Sequence, residues 1–263
     1  MTTLKIYQVD AFAKEVFSGN PAAVCPLTSW LSDDIMQKIA EENNLAETVF
    51  YVPKNNQFEI RWFTPTTEVD LCGHATLAAA YVIFNIQNYS SKLIEFFSHR
   101  SGKLTVEKNE DLLTLNFPTD VFENVDVTDE LKACFNILPS EIYKGKTDYM
   151  LVFDTQQSIE NIVPNFSNIA NLSCRGVIIT AKGTAVDFVS RFFAPQCGIN
   201  EDPVTGSAHT TLIPYWSKQL NKTTMTAIQL SARKGFLTCV DKGDRVEISG
   251  KGKLYLVGEI YFS

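Results

Sequence analysis

The sequence predicts a duplicated protein of the α/β (α+β) class, with two domains that each fold strands around one central helix. Three observations point there. Arg61-Trp62-Phe63-Thr64-Pro65 returns as Arg191-Phe192-Phe193-Ala194-Pro195, and the offset of 130 residues is close to half of the 263-residue chain. Each copy leads to a glycine that opens an apolar segment, Cys72-Gly73-His74-Ala75-Thr76-Leu77 in the first and Thr205-Gly206-Ser207-Ala208-His209 in the second. The first segment continues to Phe84 with no charged residue on any face, as expected of a helix buried on all sides with sheet around it.

The elements follow in order. Leu4 to Phe12 and Ala22 to Leu27 read as strands separated by the turn Ser18-Gly19-Asn20-Pro21. Ser32 is a helix N-cap, with Ile35, Met36, Ile39 and Ala40 at helical spacing and a stop near Asn43-Asn44. Strands 47–52 and 57–63 lead into the first repeat, and strands 92–97, 103–107 and 112–117 follow its helix, the last two as a hairpin. The acidic, patternless stretch 118–129 is a natural crossover. The second half then reads as a helix at 130–135, a strand at 149–153, helical turns near Ile159 and Ile169, and strands at 176–180 and 186–193. Its Gly206-led helix contains Pro214, which removes one backbone bond and predicts a kink. Strands 227–231, 236–240, 245–249 and 253–262 close the chain.

Composition narrows the function. A net charge of −7 without a basic run argues against nucleic acid as a partner. The N-terminus lacks a signal-peptide core and no apolar run spans a membrane, so a cytoplasmic protein with no membrane partner is expected. Six scattered cysteines and three histidines support neither a disulfide framework nor a zinc site. Gly250-Lys251-Gly252 is a turn between strands, and no dinucleotide-binding glycine motif follows a strand. Either glycine-led segment also reads as a tight turn before a core helix. The pairing of the two, with polar residues at both helix starts, favours a grip on a small anion by helix N-termini.

Four blocks carry a more specific signal: Val9-Asp10-Ala11-Phe12 with Gly19-Asn20-Pro21-Ala22-Ala23-Val24, Leu45-Ala46-Glu47-Thr48, Phe63-Thr64-Pro65 through Thr76, and Glu201-Asp202-Pro203-Val204-Thr205-Gly206-Ser207-Ala208-His209. In order and spacing they resemble the phenazine-biosynthesis PhzF-like family. That resemblance implies the diaminopimelate-epimerase-like fold, two pseudo-symmetric domains, each a mixed β-sheet (a β-roll or barrel) wrapped around a central helix, with the site in the cleft between them. It implies domains of residues 1–117 plus about 254–263, and 118–253. It further implies a homodimer, a small anionic metabolite as partner, and neither metal nor organic cofactor.

Carried over residue by residue, the resemblance makes Glu47 the acid/base and His74, Asp202 and Ser207 the other polar site positions, with Gly73, Ala75, Gly206, Ala208 and Cys72 against the substrate. Proton transfer of this kind needs a carboxyl that takes and returns a proton where water is scarce. His74 at a helix N-terminus is expected to be neutral; Cys72 is expected to be a buried remnant rather than a nucleophile, although a helix N-terminus would lower its pKa and keep it reactive. Epimerases of the wider superfamily use two facing cysteines, whereas the repeat partner of Cys72 is Thr205. A proton-shifting isomerase is therefore the leading expectation. An amino-acid epimerase or racemase and a catalytically silent metabolite-binding protein remain as alternatives.

Overall fold

The computed structural model describes residues 2–262, and its strands and helices are built from the patterns above. The chain forms two compact units. One comprises the chain up to Asn116 together with everything from Ser249 onward, the other Phe117–Ile248.

The first unit opens with β1 (Thr2–Ala11) and β2 (Asn20–Pro26), paired antiparallel with Ala11 opposite Asn20. The turn between them includes Gly19 at φ 69°, where a Cβ would stand 2.2 Å from the Ala11 carbonyl oxygen, so only glycine fits. Helix α1 (Asp33–Asn43) has Ser32 as N-cap, accepting from the Ile35 N–H, and ends on Asn44 in the left-handed region. It buries Met36, Ile39 and Ala40 into a core with Leu4, Ile6, Phe50 and Phe63.

β3 (Glu47–Lys54) runs parallel to β2, as a helical crossover requires, and β4 (Gln57–Phe63) runs antiparallel to β3. After the two-residue strand β5 (Glu68–Val69) comes α2 (Gly73–Tyr81), whose residues His74 to Ala80 are all buried. It packs on β1, β2 and β3. Its alanines let the strands close around it. The α-helix ends at Tyr81 rather than Phe84, and a wider π-type turn takes over across Val82–Ile86. β6 (Leu93–Ser98) pairs parallel with β4, and β7 (Gly102–Asn109) and β8 (Leu112–Pro118) continue antiparallel.

The second unit repeats this order. The stretch expected to be patternless contains β9 (Glu123–Asn124), which pairs with β10 (Glu141–Lys144), a strand not anticipated from the sequence. Between them α3 is one turn (Asp129–Lys132), shorter than the segment 130–135 predicted. β10 and β11 (Asp148–Val152) are antiparallel. The short helices α4 (Gln156–Asn161) and α5 (Phe166–Ala170) form the crossover to β12 (Gly176–Lys182), parallel to β11. β13 (Phe188–Phe193) is antiparallel to β12. Helix α6 (Gly206–Leu220) packs on β11 and on a later strand, β15, and β14 (Thr224–Gln229) runs parallel to β13 and antiparallel to β15 (Gly235–Asp241). The pairing sequence antiparallel, parallel, antiparallel, parallel, antiparallel is thus shared by both units, as expected of a duplication.

Pro214 sits inside α6. It cannot donate to the carbonyl of Thr210, and the Asp120 backbone N–H takes that place at 3.2 Å, while Asp120 Oδ2 accepts from Thr211 Oγ1. After β16 (Arg245–Gly250), the last strand β17 (Gly252–Phe262) returns to the first unit and lies antiparallel along the whole of β1.

Candidate active site

Parallel pairing of β2 with β3 sets Ala22 opposite Glu47, which brings Asn20 and Glu47 to the same end of the sheet. The start of α2 packs against both strands. His74 is therefore enclosed, with Nε2 3.0 Å from Glu47 Oε2 and Nδ1 3.2 Å from the Asn20 amide. Cys72 Sγ lies 3.4 Å from the same Nδ1. The Glu47–His74 contact is short, yet Glu47 Oε2 receives no directed hydrogen bond, leaving a buried carboxylate oxygen with a lone pair uncommitted.

The electrostatics overturn one expectation and agree with another. Burial disfavours charge on His74, but Cys72 and Glu47 beside it outweigh that penalty and raise its pKa well above the usual imidazole range. The N-terminal dipole alone predicted a neutral ring; Cys72 and Glu47, packed against it, reverse the sign. For Cys72, burial pushes the thiol up to about 11, with the Glu47 carboxylate acting in the same direction. The Ala75 N–H at the helix start does lower it, but loss of water outweighs that effect.

Glu47, Cys72 and His74 hold one donor atom each within 4.8 Å of one another, the spacing of a three-ligand metal centre. The ring separates the other two donors. Sγ is nearer Nδ1 (3.4 Å) than Nε2 (4.0 Å), whereas the carboxylate faces Nε2. An ion on either in-plane lone pair reaches only one of them at about 2.0–2.3 Å, so the set does not fit a tetrahedral ion as arranged.

The stretch before α6 is built alike in the second unit. Asp202 Oδ2 accepts from Thr205 Oγ1 at 2.6 Å. Thr205 N–H donates to Gln229 Oε1, and Gln229 Nε2 donates back to the Asp202 carbonyl. Ser207 stands in the first turn of α6, half-buried, with Gly206 and Ala208 on either side. Neither N-cap, Cys72 or Thr205, spends its side chain on capping. His209 is buried and neutral, its pKa pushed down to about 4 by desolvation, and Nδ1 lies 2.8 Å from the Thr205 carbonyl.

Sequence reading missed what fastens both stretches. Arg61 donates from Nε and Nη2 to Glu68, at 2.7 and 2.9 Å, and Arg191 does the same to Glu201, at 2.8 and 3.0 Å. Each glutamate lies five residues before the helix-opening glycine. Ser101 Oγ donates to the Asp70 carbonyl, and Ser231 Oγ to that of Pro203. The available signal was the spacing Glu-x₄-Gly, hidden because the loop between pentad and glutamate differs by three residues.

The sequence profile of the phenazine biosynthesis-like protein family matches residues 9–258. An uncharacterized isomerase of Pseudomonas aeruginosa is 49% identical over 258 residues, covering 98% of this chain and 99% of that one. The chain belongs to the phenazine biosynthesis-like family. A crystal structure of a PhzF-family protein from Enterococcus faecalis superposes with a TM-score of 0.96 at 48% identity, over 99% of this chain and 100% of that one. A hydroxyproline epimerase from Agrobacterium vitis shares the fold at a TM-score of 0.59 and 10% identity, over 98% of this chain and 92% of that one. The PhzF-like chain thus has the diaminopimelate-epimerase-like fold. Among its described residues, no helix is long and apolar enough to cross a membrane.

Proposed function

We propose that this protein is a cofactor-independent isomerase that moves a proton within a small carboxylate-bearing substrate. Glu47 takes the proton from carbon and returns it to another position, and His74 holds the carboxylate and balances its charge as it changes. The observation that carries this is the buried Glu47 Oε2, which faces His74 yet receives no directed hydrogen bond. A base kept from water with one lone pair uncommitted suits proton abstraction from carbon. The naming of relatives as isomerases supports the same class. On the resemblance, Gly73, Ala75, Gly206, Ala208 and Cys72 contact the substrate, Asp202 and Ser207 bind it, and the protein works as a homodimer.

Two-thiol stereoinversion is disfavoured by Thr205, which stands at the position matching Cys72 and whose hydroxyl is committed to Asp202. The test is incorporation of solvent deuterium at carbon across a panel of small unsaturated and amino carboxylates. Wild-type protein exchanges its substrate, and Glu47→Gln lowers the rate about 10²–10⁴-fold. Undiminished exchange in that variant sinks the assignment. Binding of a panel member without exchange in the wild type favours a silent binder instead.

A further inference from the structure

We propose that Asn20 is a positioning residue that holds His74 as an imidazolium, its side-chain carbonyl accepting the Nδ1–H while Nε2 faces the Glu47 carboxylate. The inference rests on the reading that Glu47 and His74 form the reactive pair. Its basis is the enclosure of the ring. Both residues are buried, Asn20 completely, and the Asn20 amide stands 3.2 Å from Nδ1 with its nitrogen, Nδ2, on the ring side. A charged imidazole has two N–H donors, and one left without an acceptor in a dry interior costs far more than one in water. Glu47 serves Nε2. On the Nδ1 side the neighbours are the Asn20 amide and the Cys72 sulfur, a weak acceptor. Nδ2 and Oδ1 of an amide exchange places by a half-turn about the last torsion, and an imidazolium selects the oxygen.

The backbone holds the amide to this position. Asn20 begins β2, directly opposite Ala11 of β1, behind a glycine that no other residue replaces. The titratable groups acting on His74 are Glu47 from β3 and Cys72 from the N-cap of α2. Asp10, the buried carboxylate of β1, accepts from the Phe17 N–H through Oδ2.

The experiment is an NMR titration of the ring signals of His74 in the resting protein, with only His99 and His209 to distinguish from it. In Asn20→Leu the pKa of His74 falls by about one unit or more, the cost of an orphaned N–H. In Asn20→Asp, isosteric and less disturbing to the fold, it rises, because a carboxylate accepts and never donates. An unchanged pKa in the Asp variant overturns the proposal even if the Leu variant does not fold. A raised pKa in the Leu variant also overturns it, since that sign means the amide donates to a neutral ring. Because no substrate is present, these outcomes are independent of whether Glu47→Gln abolishes exchange.

Discussion

At the scale of single residues, the arginine of each pentad makes equivalent contacts in the two units. Arg61 lies over the rings of Trp30 and Phe63 and is locked to Glu68, and Arg191 lies over Phe193 and is locked to Glu201. Each pair anchors the loop that delivers the helix start, so its role is positional. The Arg61 hydrogen bonds hold the Glu68 carboxyl below the usual range. A carboxylate whose folded pKa is depressed stabilises the fold above its unfolded pKa, near 4.3, and loses that contribution as pH falls through the folded value. Wild-type melting temperature should therefore drop below about pH 4.5, and Glu68→Gln should show a shallower acid slope while being about 1–3 kcal/mol less stable at neutral pH. Thermal unfolding between pH 3 and 7 checks both; parallel slopes contradict the ion-pair account.

At the scale of elements, the turn from β1 to β2 is sterically constrained at Gly19. Gly19 combines a left-handed φ with the approach of the Ala11 carbonyl, and the next residue carries the amide against His74. Gly19→Ala is expected to cost at least about 2 kcal/mol, from backbone strain and a forced parting of the two strands. Urea denaturation measures it, and a loss below about 0.5 kcal/mol refutes the steric argument. Helix α6 shows the opposite case, a local fault made good elsewhere. Its proline leaves the Thr210 carbonyl without a helical donor, and the chain at Asp120 supplies one. Periodicity foretold the helix and its interruption, whereas the donor lies 90 residues away in sequence.

At the scale of the molecule, the chain starts and ends in the same unit. β17 pairs with β1 from Thr2 to Ala11, so the unit that holds Glu47 and His74 cannot finish folding until the last strand is made. Deletion from Gly252 onward should leave β1 an open edge and the first unit unfolded. Limited proteolysis read by mass spectrometry should then cut within residues 2–116; protection there equal to the full chain contradicts the requirement.

The sequence by itself determined most of the local order. Strand alternation, the Ser32 cap, the uncharged helix after Gly73 and the doubled pentad marked the elements, and four short blocks pointed to the family. These features are written in neighbouring residues, where side-chain period and turn chemistry act. Only the tertiary structure decided which groups meet and in what state. Asn20, Glu47, Cys72 and His74 converge because two parallel strands and one buried helix share an end, and that packing raises the pKa of both His74 and Cys72, where a helix start alone would lower them. Ionisation in an interior depends on the nearest charges and the loss of water, and both are properties of the fold.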